Sequence, residues 1–187
     1  MFKGLKSVIS IFFSIFKFFV IKIIRFKTFH FSVIERFSPS TMVNVWPKGS
    51  LFLGKRVSAH SGTKLSVTNG GILSVGDRVA FNYNCIISCR EKIEIGSNTT
   101  FGPGVIVYDH DHDFRTCNKM NSGKYVSSEV IIGENCWIGA NTVILRGTKI
   151  GDNCVVGAGS VIKGIFPANS LIVQKRRADI FHLNVMD

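Results

Sequence analysis

Hydrophobic and polar positions alternate along this chain with a period that is neither helical nor that of a simple strand. From Ile132 the sequence reads IGENCW, IGANTV, ILRGTK, IGDNCV, VGAGSV, IKGIFP. An aliphatic residue returns every sixth position, at Ile132, Ile138, Ile144, Ile150, Val156 and Ile162. Glycine follows it at Gly133, Gly139, Gly151 and Gly157, where a turn needs backbone freedom. The fifth position of the first five units is small or β-branched: Cys136, Thr142, Thr148, Cys154, Ser160. Such a period suits a parallel β-helix, in which each short strand supplies one inward aliphatic side chain and a turn follows. Three units close a triangular coil of 18 residues, so Ile132 stacks on Ile150, Ile138 on Val156 and Ile144 on Ile162. Each buried Ile or Val contributes on the order of 1.5–3 kcal/mol. Main-chain hydrogen bonds run between coils, so one coil is not stable alone.

The template extends upstream. Val75, Phe81 and Ile87 keep the step of six; Ile95, Phe101 and Val107 resume it after a step of eight, which predicts a small bulge or loop over residues 88–94. An earlier coil starts near Leu53-Gly54. The expectation is an all-β domain over residues 50–170, followed by a basic tail, 171–187. Cys85, Cys136 and Cys154 share the small fifth position and are expected in the core. Between Val107 and Ile132 the period breaks into YDHDHDFRTCNKMNSGKYVSSEVI, a polar excursion that predicts a functional loop over residues 109–130.

Residues 5–24 are dense in Phe, Ile and Val, yet the longest uncharged run, Ser7–Phe16, is half of what a membrane-spanning helix needs. The interrupting Lys17 and Lys22, and the lack of a small-residue cleavage site, also fit a signal peptide poorly. Lys3, Ser7, Ser10, Ser14 and Lys17 step by three or four, and Arg25 rejoins that stripe; Lys22 falls off it. Residues 1–37 therefore read as a basic amphipathic helix, with peripheral membrane contact expected through residues 1–27. The alternative is a helix packed on its own domain or on a sister subunit.

Charge supports the membrane expectation. The formal net charge is +11, and residues 1–37 hold seven Lys and Arg against one acid, Glu35. A Phe-rich aliphatic segment is not the Lys/Arg groove with spaced aromatics that binds nucleic acid, so no nucleic-acid partner is expected. Five cysteines without a CxxC pair argue against a disulfide framework or structural zinc and fit a reducing compartment. The expected location is cytoplasmic, peripheral at the inner face of the cell membrane.

The chemistry-bearing residues gather in the excursion. His110 lies among Asp109, Asp111 and Asp113, any of which, like a backbone carbonyl, could orient one ring nitrogen and leave the other as a base. His112, two residues on, is a second candidate. An HxH pair also binds zinc, but a catalytic zinc site wants a third protein ligand, and His30, His60 and His182 lie outside the clean coils. No metal is expected.

The coils, the DHDH loop and the segment VIIGENCWIGANTVILRGTKIGDNCVVGAGSVIKGIFPANS together resemble the hexapeptide-repeat acyltransferases, over about residues 50–177. The nearest branch is that of galactoside and maltose O-acetyltransferases and of capsule and O-antigen O-acetyltransferases. The resemblance implies a left-handed parallel β-helix, a hand that the usual right-handed crossover would not predict. It also implies a homotrimer with sites between subunits, and acetyl-CoA as co-substrate. It assigns His110 as general base, with Asp109 or His112 assisting; Asn82 and Asn84 of FNYNC as acceptor-binding; and Trp137, Ala140 and Ala158 along the coenzyme. Lys163, one position before the family's usual lysine, and Arg176 and Arg177 of the tail are candidates for coenzyme phosphate. The implied reaction is O-acetylation of a sugar or polysaccharide precursor through a direct ternary complex. Sugar N-acetylation, a γ-carbonic-anhydrase-like metalloenzyme and a non-catalytic scaffold are the alternatives; the second lacks a histidine at position 82, which is Asn82.

Overall fold

The computed structural model describes residues 2–32, 34–68, 70–115 and 123–175. Three parallel sheets form the faces of a triangular prism, a left-handed β-helix of six coils and part of a seventh. Face 1 runs from Phe29–His30 through Ser50–Leu53, Ile72–Val75, Lys92–Ile95, Val130–Ile132 and Lys149–Ile150 to Ile165–Phe166. Face 2 runs from Arg36–Phe37 through Ser58–Ala59, Ala80–Phe81, Thr100–Phe101, Trp137–Ile138 and Val155–Val156 to Leu171–Ile172. Face 3 comprises Met42–Val45, Lys64–Val67, Ile86–Cys89, Ile106–Tyr108, Val143–Ile144 and Val161–Ile162. The expected stacks form: Ile132 pairs with Ile150, Ile138 with Val156, and Ile144 with Ile162. All six are buried, as are Cys85, Cys136 and Cys154. Burial pushes the Cys85 and Cys136 thiols up, which keeps them protonated.

Turn chemistry differs from the expectation. The residue needing a left-handed backbone is the fourth of each of the first five units, not the second. Asn98, Asn135, Asn153 and Asn169 fill it at the corner from face 1 to face 2, with φ of 55–60°. There, Asn98 Nδ2 donates to Asn135 Oδ1 at 3.0 Å and Asn153 Nδ2 to Asn169 Oδ1 at 3.1 Å. Asparagine tolerates this conformation, and its amide links successive coils. The second-position glycine is required by crowding instead: a Cβ on Gly139 would lie 2.5 Å from the Ala158 nitrogen of the next coil.

Two boundaries also move. The coils begin at Phe29, not near residue 50, and the helix ends at Ile24, well before residue 37. The residue 88–94 segment is not a bulge. Strands Ile86–Cys89 and Lys92–Ile95 are four residues long and each buries two side chains, Ile87 with Cys89 and Ile93 with Ile95. A strand that long buries alternate residues, so the coil widens while its register holds. The same widening at Ser50–Leu53, Lys64–Val67 and Ile72–Val75 hides the period of the first coils.

The first coil would leave a row of unpaired main-chain groups at its outer edge. The helix Phe2–Ile24 covers that edge with its polar stripe. The Ser14 hydroxyl accepts from Phe37 N at 2.8 Å, Lys17 Nζ donates to Thr41 O, and Arg25 Nε donates to Val45 O at 3.1 Å. Lys22, off the stripe, donates to the carbonyls of Phe26 and Phe29 at 2.6 and 2.7 Å. Phe18 is the apolar peg, fully buried with edge-on contacts to Phe29, Phe31 and Phe37 at 4.8–5.5 Å. The helix thus does pack on its own domain, through its polar side.

Beneath this cap Glu35 is 1% exposed, and neither carboxyl oxygen has a hydrogen-bond partner among the described residues. Burial pushes its pKa up to about 8, so it holds its proton at neutral pH. The unfolded chain releases that proton near the ordinary value of 4.5. Stability is therefore fullest below that value and is lost as pH rises toward 8. Glu35→Gln is expected to flatten the fall in melting temperature between pH 5 and 8 and to raise it by several degrees at pH 8, read by thermal denaturation across that range.

Candidate active site

Where the chain leaves face 3 after Tyr108, Asp109 turns inward and is fully buried. Its carboxylate sits in the short turn between the two widened strands. Arg90 N donates to both oxygens at 2.9 Å, and Glu91 N and Lys92 N donate to Oδ2 at 2.7 and 2.9 Å. His110 Nδ1 lies 2.8 Å from Oδ1. Burial opposes ionisation, but the His110 hydrogen bond and the backbone N–H groups of Glu91 and Arg90 outweigh it and hold the carboxyl below its ordinary pKa. An ionised carboxylate only accepts, so Nδ1 must carry the proton and Nε2 the lone pair. With 13% of its side chain exposed, His110 is an oriented, accessible base. Of the three aspartates that flank it in sequence, Asp109 is the one that orients it.

The excursion is not a plain loop. His110–His112 pairs antiparallel with Tyr125–Ser127. The rings of Tyr108 and Tyr125 stand edge-on to the His110 ring at 5.7 and 5.5 Å. The Arg90 guanidinium lies 3.5 Å from the Tyr125 ring centre, a cation–π contact. Arg146 Nε, on the next coil, donates to Asp111 Oδ2 at 2.6 Å and ties the hairpin to the stack. His112 is exposed and packs against Tyr125 at 4.6 Å. Sequence reasoning missed Tyr108, Tyr125, Arg90 and Arg146. Arg146 was within reach: Val107 pairs with Ile144, so two residues on, Arg146 stacks beside Asp109.

The remaining predicted residues fall on two ridges. Asn82, Ala140 and Ala158 line the corner from face 2 to face 3, and Trp137, 59% exposed, stands on face 2 leading into it. Asn84 lies there too, but with φ of 59° it is the left-handed residue of its turn. Asn82 Oδ1 accepts from Tyr83 N at 2.9 Å. His110, Arg146 and exposed Lys163 follow the other corner, from face 3 to face 1. A strand such as Ile86–Cys89 separates the ridges by roughly 13 Å. One chain therefore does not bring His110 to Asn82 or Trp137. Arg176 and Arg177 lie outside the described residues. Among the described residues no three His, Cys, Asp or Glu side chains form a metal-binding group.

Comparison with known proteins now bears on this geometry. The bacterial transferase hexapeptide (six repeats) model matches residues 129–164. WbbJ of Escherichia coli (strain K12), provisionally described as a lipopolysaccharide biosynthesis O-acetyl transferase, is 33% identical over 132 residues, covering 66% of this chain and 67% of WbbJ. The chain belongs to the hexapeptide-repeat acyltransferase family. The crystal structure of a maltose O-acetyltransferase from Clostridium difficile 630, also 33% identical, superposes with a TM-score of 0.52, over 71% of this chain and 66% of that one. AntD, an N-acyltransferase from Bacillus cereus, shares the fold at 20% identity and a TM-score of 0.62, over 72% of each chain. The chain spans about two thirds of WbbJ and of the Clostridium enzyme, but 39–48% of three other curated relatives.

As a hexapeptide-repeat acyltransferase, the chain is expected to depend on the Asp109–His110 pair for turnover rather than for coenzyme binding. Asp109→Asn removes the acceptor that fixes the ring tautomer, and kcat should fall about 10²–10⁴-fold. KM for acetyl-CoA should stay near the wild-type value, read from steady-state thiol release.

Proposed function

We propose that this chain transfers an acetyl group from acetyl-CoA to a hydroxyl of a sugar or polysaccharide precursor, with His110 as general base. The observation that carries this reading is the buried, ionised Asp109 holding His110 with Nε2 free to take a proton. The acceptor hydroxyl attacks the thioester carbonyl as Nε2 removes its proton, and Asp109 stabilises the imidazolium that forms. The tetrahedral intermediate collapses with cleavage of the C–S bond, and the leaving thiolate takes the proton back from Nε2. No acyl-enzyme is formed. The names of WbbJ and of the Clostridium maltose enzyme support O-transfer and a carbohydrate acceptor.

A homotrimer completes the site. The outward column of face 3 is aliphatic over its last four coils, Ile86, Ile106, Val143 and Val161, and both candidate ridges border that face. Three copies packed through face 3 about a common axis would set the His110 ridge of one beside the Trp137, Ala140 and Ala158 ridge of the next. Asn82 would then meet the acceptor across the boundary, and Lys163 of one copy would approach coenzyme bound along its neighbour.

The test is free-thiol release from acetyl-CoA with a panel of sugars and nucleotide-sugars. Acceptor-dependent release that falls at least about 10²-fold in His110→Ala supports the reading. Release unaffected by that substitution, or a trapped acyl-Cys or acyl-Ser, overturns it; acetylation of an amino sugar alone makes the enzyme an N-acetyltransferase. Val143→Lys, outward on face 3, is expected to reduce the particle from about three times 20.7 kDa to one, by light scattering, and to abolish transfer while leaving the Asp109–His110 pair intact.

A further inference from the structure

The cap helix is inverted relative to an ordinary surface helix. Its polar stripe is spent on the first coil, through Ser14, Lys17 and Arg25, and its outward surface is apolar. Phe12, Phe16, Phe19 and Ile23 step by three or four along that surface and stand 60–71% exposed. Beside them Ile24, Arg25 and Trp46 border a shallow groove against the first coil. No helix among the described residues is long and apolar enough to cross a membrane.

Charge singles out the same end of the molecule. Residues 1–76, the helix and the first coils, hold eleven Lys and Arg against one acid, Glu35; residues 77–187 hold twelve against eleven. Nearly all the net charge of +11 therefore lies at the capped end. Its single acid is buried beneath the cap and keeps its proton at neutral pH. An apolar tip set in a cationic collar, with exposed Trp46 at the boundary, matches an anionic lipid surface: hydrocarbon for the Phe stripe, headgroup charge for the collar.

We infer that the outward face of the helix docks on an anionic lipid bilayer, so that the β-helix stands end-on with its first coil nearest the membrane. The helix donors reach carbonyls that point away from the second coil, so the opposite helix face is directed along the stack axis. Copies arranged about a parallel axis would present all their caps to one plane. His110 leaves the fourth coil, three coil steps from the first, or about 14 Å at the usual strand spacing. An acceptor anchored in the same bilayer would have to extend at least that far above it.

Vesicle flotation of the full chain tests this with 3:1 phosphatidylcholine:phosphatidylglycerol against phosphatidylcholine alone. The wild type is expected to float with the anionic vesicles and much less with the neutral ones. The bound fraction should fall at least about tenfold in Phe12→Ser/Phe16→Ser, whose side chains stand 70% and 71% exposed. The thermal unfolding transition of that double variant should match that of wild type, which reports its fold. Wild type that stays unbound to both vesicles, or a double variant that floats as well as wild type, overturns the inference. So does a double variant that changes particle mass and not flotation, since the face then joins copies of the chain. Flotation is read without acetyl transfer, so a failure of the proposed reaction leaves this result standing by itself.

Discussion

The carboxylate of Asp109, buried and ionised, is the interaction on which the geometry around His110 depends. A carboxylate out of contact with water is tolerated only when its oxygens are saturated with donors. Here three consecutive backbone N–H groups, from Arg90 to Lys92, and the His110 imidazole supply them. The arrangement requires the widened strands around residues 90–91, because only a turn between two four-residue strands places those N–H groups together. It also requires the excursion after Val107 to begin at that level of the stack. One carboxyl thus joins coil geometry, the path of the hairpin and the orientation of the His110 ring.

The same economy governs the ends. A β-helix is nearly one-dimensional, and each coil satisfies the main chain of its neighbours. At the first coil no neighbour exists, and the helix takes that role: the Ser14 hydroxyl accepts from the Phe37 N–H, while two ammonium groups and a guanidinium donate to carbonyls. Donating its polar side inward leaves the helix, over residues 8–24, with Phe, Ile and Val to turn outward. The apolar tip is the direct consequence of how the stack is closed. The site on the fourth coil and the cap on the first therefore lie three coil steps apart on one stack.

The stack itself was legible without coordinates. Ile132 to Ile162 fixed the register of two coils because hexapeptide units with one inward residue leave no other solution. His110 stood out because it interrupts that order. The first coils were harder to read. From Leu51 to Val75 each longer strand buries two residues, and the alternation of two overlays the period of six. Phe29 and Phe37 of the first coil stack on Leu51 and Ala59 on one side only, and on the other they pack against Phe18 of the helix.

Local pattern alone determined the β-helix, the place of its excursion, and the amphipathic nature of the N-terminal helix. These follow from periodicity, which is a property of consecutive residues; the choice of His110 over His112 came from the family resemblance. Tertiary structure decided which of three aspartates holds His110, because the deciding N–H groups come from residues 90–92, nearly twenty positions upstream. It decided that Tyr125 and Arg90 enclose the base, and that Asn82 and His110 of one chain lie on opposite edges of face 3. It also decided which way the helix faces. A helical wheel records that one side is polar and the other apolar; only the unpaired carbonyls of the first coil determine that the polar side turns inward.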